Sequence, residues 1–84
     1  MKYVVCSIRD HAAEFYGQPF FAPSKGAAIR SFTDAVNDKS SGNQFAAHPA
    51  DFDLFHIGDF DSDSGELFPC KATRIAQGVN VKVD

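Results

Sequence analysis

A chain of 84 residues, 44% of them hydrophobic and 23% charged, is globular in composition and has room for a single domain, taken as residues 1–84. Eight Lys and Arg against eleven Asp and Glu leave a net charge of −3. That excludes a protein held to nucleic acid mainly by charge, because counterion release needs a basic surface, although a local basic face remains open.

So short a chain buries only roughly 60–65% of the surface its unfolded form exposes. Its stability is expected at about 4–13 kcal/mol, and pairing into a homodimer would extend so small a core. Nine Phe, two Tyr and no Trp make it rich in flat apolar rings. Most of the nine should be core, with one or two at the surface, where a ring can serve a partner interface or stack on a base.

Lys2 to Arg9 alternates as a strand, with Val4, Cys6 and Ile8 on one face and Tyr3, Val5, Ser7 and Arg9 on the other. Residues 10–14 form a turn or a short helical turn. Phe15 to Pro23 reads as a second strand, placed at an edge because Pro19 and Pro23 cannot complete a ladder. Ser24 is a good N-cap for a helix over Lys25 to Val36, whose apolar stripe is Ala28, Ile29, Phe32, Ala35 and Val36. Residues 37–43 end the helix and make the most flexible stretch by composition.

Pro49 starts a short helical turn, with His48 as its cap. Phe52 to Phe60 is the next strand, with Leu54 on one face and Phe55 and Ile57 on the other. Residues 61–65 turn, and Glu66 to Lys71 returns as the paired strand. Val79, Val81 and Val83 alternate and predict a short terminal strand. The fold class is α+β: a small antiparallel sheet in β-β-α-β-β order with one main helix packed on one face. The other face is where function is expected.

Chemistry-bearing clusters are sparse, and an enzyme has no feature behind it: no catalytic residues, metal ligands or cofactors are assigned. Asp59, Asp61, Asp63 and Gly65 imitate a calcium loop, but the loop's glycine and terminal glutamate positions hold Ser64 and Cys70, so a solvated turn is expected. Cys6 and Cys70 belong to no Cys/His cluster and read as free buried thiols. His56 and Cys6 could meet across a sheet, an accident that strand alternation makes common. Lys25 and Arg30 lie near the start of the main helix, and Lys71 and Arg74 with Phe68 form a second basic and aromatic cluster; solvated surface is the default for both. The apolar run at the N-terminus is too short for a signal peptide, and no stretch reaches membrane-spanning length, so no membrane partner and a cytoplasmic location are expected.

One ordered set of motifs is more specific. Phe20-Phe21 is followed by Lys25-Gly26-Ala27-Ala28-Ile29-Arg30-Ser31-Phe32, then His48-Pro49-Ala50-Asp51, then Gly58-Asp59-Phe60-Asp61. Over about residues 1–70 this resembles the small nonstructural protein of gokushovirus-type microviruses, icosahedral phages with single-stranded DNA genomes. The resemblance implies an accessory role in single-stranded genome synthesis or packaging, in the cytoplasm of a bacterial host, and brings no catalytic residues. Lys25, Arg30, Phe20 and Phe21 fall within the family pattern and are the candidates for single-stranded DNA contact, with Lys71 and Arg74 beside them. The alternative is an adaptor that recruits a phage replication or procapsid protein without touching DNA.

Overall fold

The computed structural model describes residues 1–83. Nine residues of strand β1 (Lys2–Asp10) form the centre of an antiparallel sheet. On one side β1 pairs with two short strands, β2 (Phe15–Tyr16) and β3 (Phe20–Ala22). On the other it pairs with β4 (Phe52–Asp61), which pairs in turn with the outer strand β5 (Glu66–Gln77). Helix α1 (Lys25–Asn37) lies across one face, and α2 (Gln44–Ala47), a 3₁₀ turn (Pro49–Asp51) and α3 (Gly78–Val81) close that side.

Alternation sets the two layers. Cys6 and Leu54 from the sheet meet Ala28, Phe32 and Val36 from α1 in one buried cluster, joined by Ala22 and Phe52. Val4 and Ile8 pack against it from β1, and Ile29 from the helix. Each large side chain buried there contributes about 1.5–3 kcal/mol. The helix begins where its first free amides find a partner: the Ser24 hydroxyl accepts from the Ala27 N–H at 3.1 Å. Ser24→Ala should cost about 1 kcal/mol, read as a lower urea midpoint at unchanged slope.

The helix ends in a tied loop. The Asn43 side-chain amide donates to the Ala35 carbonyl at 2.8 Å and to the Asp38 carbonyl at 2.7 Å. Its carbonyl caps α2 through the Phe45 N–H. The Ser40 hydroxyl and N–H both donate to Asp38, which holds that carboxyl below the usual carboxylate range. A segment read as the most flexible is therefore pinned at several points.

The α+β class holds, but the element order differs from β-β-α-β-β. The expected second strand is split at residues 17–19, because the chain turns there to meet β1: the Ser7 hydroxyl donates to the Gly17 carbonyl at 2.7 Å, and the Gly17 N–H to the Ile8 carbonyl at 2.8 Å. Strand β5 runs six residues past Lys71. The terminal strand predicted from alternating valines is instead α3. Its first residue explains the change: a Cβ on Gly78 would lie 2.2 Å from the Pro49 carbonyl oxygen and 2.6 Å from that of Phe52. So close an approach to two backbone oxygens admits only glycine, and it ends the sheet against the 3₁₀ turn. The Asn37 side chain then ties down the end of α3, donating to the Val81 carbonyl and accepting from the Val83 N–H. His48 makes no side-chain cap; its carbonyl accepts from the Asp51 N–H instead. No helix among the described residues is long and apolar enough to cross a membrane.

Candidate functional site

Among the described residues no helix covers the sheet face opposite α1, although Val5, Ser7 and Asp53 on it are buried. Register fixes what it displays in four rows running across the strands. Tyr3, Phe60 and Leu67 form the first row, and Phe21, Val5, Gly58 and Pro69 the second. Ser7, Phe55 and Arg74 form the third, and Tyr16, Arg9, Asp53 and Gln77 the fourth. A side chain at Gly58 would crowd the Phe68 carbonyl oxygen at 2.9 Å, so glycine lets β5 approach closely in the second row.

The first two rows are apolar. Phe21 packs edge-on against Phe60 with centroids 5.3 Å apart, and Tyr3 tilts against the same ring at 6.3 Å. Val5, Pro19, Phe21, Ile57, Leu67 and Pro69 line an open groove of about 540 Å³ here. Phe21 is 52% exposed and Leu67 62%, an apolar surface that a helix would have buried on the other side.

The last two rows are aromatic and basic. The Arg9 guanidinium lies 5.1 Å from the centroid of Tyr16, and Tyr16 meets Phe55 edge-on at 5.4 Å. His11 leans on Phe55 at 6.3 Å and bonds through Nε2 to Asp53 Oδ2 at 2.9 Å. The Arg74 guanidinium reaches the same oxygen at 3.4 Å. Asp53 is buried, and it is the one carboxylate in these rows. Asp61, Asp63 and Glu66 lie at the hairpin and Asp34 and Asp38 on and after the helix, whereas Asp59 borders the apolar groove. In a chain of net charge −3, these two rows carry two arginines against one acid.

The candidate DNA-contact residues divide between the two layers. Phe21 and Arg74 share the bare face. Lys25 and Arg30 are exposed on α1, behind the sheet, and Phe20 packs against the core beneath it. Lys71 is exposed where β5 runs out of register with β4. Phe68 does not join Lys71 and Arg74; the Lys2 ammonium sits 5.6 Å from its ring instead. Arg9, Tyr16 and Phe55 were not singled out in the sequence. Alternation had already put Arg9 on the face away from the core, which was the available signal; Tyr16 depends on a pairing between β1 and β2 that no local pattern carries.

The aspartate-rich hairpin works as a turn. Asp61 accepts from the Asp63 N–H at 2.9 Å, and Gly65, at φ +76°, donates to the Asp61 carbonyl at 2.7 Å. Cys6 is buried as expected, and burial pushes its thiol up, opposed by Lys25 and reinforced by Asp59 and Cys70. Cys70, also read as buried, is exposed on the outermost strand of the sheet.

What the fold and this surface define is a small α+β protein whose sheet is covered on one side and bare on the other. The chain belongs to the phage ORF5 protein family, whose sequence profile matches residues 3–81. It is similar to Protein ORF5 of Chlamydia phage 1, with 46% identity over 68 residues that cover 79% of this chain and 71% of that one. Both findings agree with the microvirus resemblance read from the motifs. No solved structure matches.

Proposed function

We propose that the protein is a non-enzymatic accessory factor of phage single-stranded genome production, acting in the bacterial cytoplasm and contacting single-stranded DNA through its bare sheet face. The observation that carries this reading is the segregation of charge. Arg9 and Arg74 flank Tyr16 and Phe55 in two rows that hold a single carboxylate, Asp53, in an otherwise acidic chain. Bases stack on rings of any sequence context, and cations beside those rings meet the phosphates. Two phosphate contacts give a log–log salt slope of about −1.4 for a single strand.

Fluorescence anisotropy with a labelled single strand tests this directly. Binding that weakens with salt at that slope supports it; no binding at high micromolar protein, or binding indifferent to salt, removes DNA from the account. Asp53→Asn, which deletes the one acid of the two arginine-bearing rows, should tighten binding about threefold or more, since a unit charge about 7 Å away is worth ~0.6 kcal/mol even in water.

The apolar half of the same face favours the second reading, an adaptor for a phage replication or procapsid protein. The groove around Val5, Phe21 and Leu67 offers hydrophobic surface whose lining holds one charged residue, Asp59. Pull-down from infected cells separates the two: a protein partner retained after nuclease treatment supports the adaptor, and a nuclease-sensitive association supports DNA.

A further inference from the structure

Strands β4 and β5 do not pair evenly. His56 lies opposite Thr73 and Gly58 opposite Pro69, so Ile57 alone faces the stretch Cys70 to Ala72. Extra residues on one strand re-aim side chains, and such bulges recur beside reactive sites. The side chain re-aimed here is Cys70. Its sulfur lies 3.7 Å from Nδ1 of His56, and Nε2 of the same ring lies 3.1 Å from Oδ1 of Asp59.

A carboxylate only accepts, so the proton of the neutral ring sits on Nε2 and the Nδ1 lone pair faces the thiol. The His56 side chain is 13% exposed and held on both sides, while Cys70 is open to solvent. Thiol, imidazole and carboxylate thus stand in the order that a nucleophile, its base and the orienting group require.

We propose that Cys70 is a thiol–disulfide exchange site for low-molecular-weight disulfides of the glutathione class, with His56 as its base and Asp59 as the group that orients the ring. Cys70 gives its proton to His56 Nδ1, and its sulfur attacks one sulfur of the small disulfide. That S–S bond breaks as the new one forms, and the departing thiolate takes the proton back from Nδ1. Cys70 ends oxidised as a mixed disulfide, half of the small disulfide ends reduced to a thiol, and no other oxidant enters.

Cys6 cannot resolve the adduct. Strands β1 and β5 flank β4, which separates them by about 9.6 Å at ~4.8 Å per strand, beyond the ~7 Å between Cα atoms that a disulfide spans. Cys6 is also buried, and burial pushes its thiol pKa up. The mixed disulfide therefore persists until an external thiol removes it. Cys6 lies opposite His56 on β1, Asp59 bonds His56 from β4, and Lys25 at the start of α1 acts on Cys6.

This site is independent of the DNA reading, and the test uses the full chain with no DNA present. The rate of reaction with the aromatic disulfide DTNB is followed from mildly acidic to mildly alkaline pH. One fast thiol is expected, and Cys70→Ser should abolish it. His56→Gln should slow it about tenfold at the acidic end and less at the alkaline end, short of the about 10²-fold of a well-aligned base because the approach is long. Asp59→Asn, at a half-exposed position, should slow it in the same pH-dependent way with the fold intact by circular dichroism. Oxidised glutathione should leave one adduct, on the Cys70 peptide. Rates equal to the unaltered protein at every pH in both variants, an adduct on Cys6, or a chain-to-chain disulfide in its place would each overturn the proposal.

Discussion

Under the proposed reading, Tyr16→Ala should weaken single-stranded DNA binding roughly 5- to 150-fold, the about 1–3 kcal/mol that one base–ring stack is worth. Tyr16 is 42% exposed, belongs to a two-residue strand and lies outside the core cluster, so the loss should come without unfolding. It also leaves Arg9 without the ring it lies over, at 5.1 Å, so the positive group loses its fixed position as well. Tyr16→Phe keeps the stack and should bind within about twofold of the unaltered protein, because an exposed hydroxyl adds little in water. Lys25→Ala and Arg30→Ala supply the decisive contrast. Both residues lie on α1, behind the sheet, and either change should shift the affinity less than about threefold, as a distant unit charge does. Anisotropy at one low salt concentration ranks all four variants. Equal affinities for Tyr16→Ala and the unaltered chain would take the bare face out of the account, and a larger loss in Lys25→Ala would move the contact to the helix.

That contrast reflects what the sequence carries and what it does not. Alternation in β1 separated Val4, Cys6 and Ile8 from Tyr3, Val5, Ser7 and Arg9, and the three- and four-residue spacing in α1 marked Ala28, Phe32 and Val36; these are the contacts that build the core. The existence of a bare face was legible for the same reason, since one helix covers one side. Which residues meet on it was not. Tyr16 reaches Arg9, and Arg74 reaches Asp53, only through strand pairings set by distant segments. Lys25 and Arg30 stood out because they lie near the start of the main helix and, with Phe20 and Phe21, within the family pattern, yet adjacent rings in a strand point to opposite faces, and only Phe21 shares a surface with Arg74. The terminal valines misled for a different reason. Their alternation is strand-like, but Gly78 docks against two backbone carbonyls and Asn37 captures the backbone at Val81 and Val83, and neither contact has a local signature. Cys70 approaches His56 through a bulge, which shifts register without marking the sequence.

Phenylalanine is where stability and function separate most clearly. Nine are present; Phe32 and Phe52 are buried, whereas Phe15, Phe21 and Phe68 are exposed, more than the one or two expected at the surface. Phe32, at 1% exposure, is the largest fully buried side chain, and it joins α1 to Cys6 and Leu54 of the sheet. Phe32→Ala should cost about 3–5 kcal/mol, the transfer loss plus a cavity that a sheet-backed site cannot close. Against a total of about 4–13 kcal/mol, that leaves a chain unfolded or close to it at 37 °C, visible as a urea midpoint shifted toward zero. Phe21→Ala removes a ring of equal size from the bare face and should lower stability by less than about 1 kcal/mol, the scale of one cross-strand aromatic pair. It should nonetheless weaken binding of whichever partner uses the face. A chain that tolerates loss of Phe21 in urea but not in the binding assay would have aromatic surface beyond what folding requires. Equal, large stability losses for the two substitutions would instead make Phe21 part of the core and leave the sheet with little bare surface to offer.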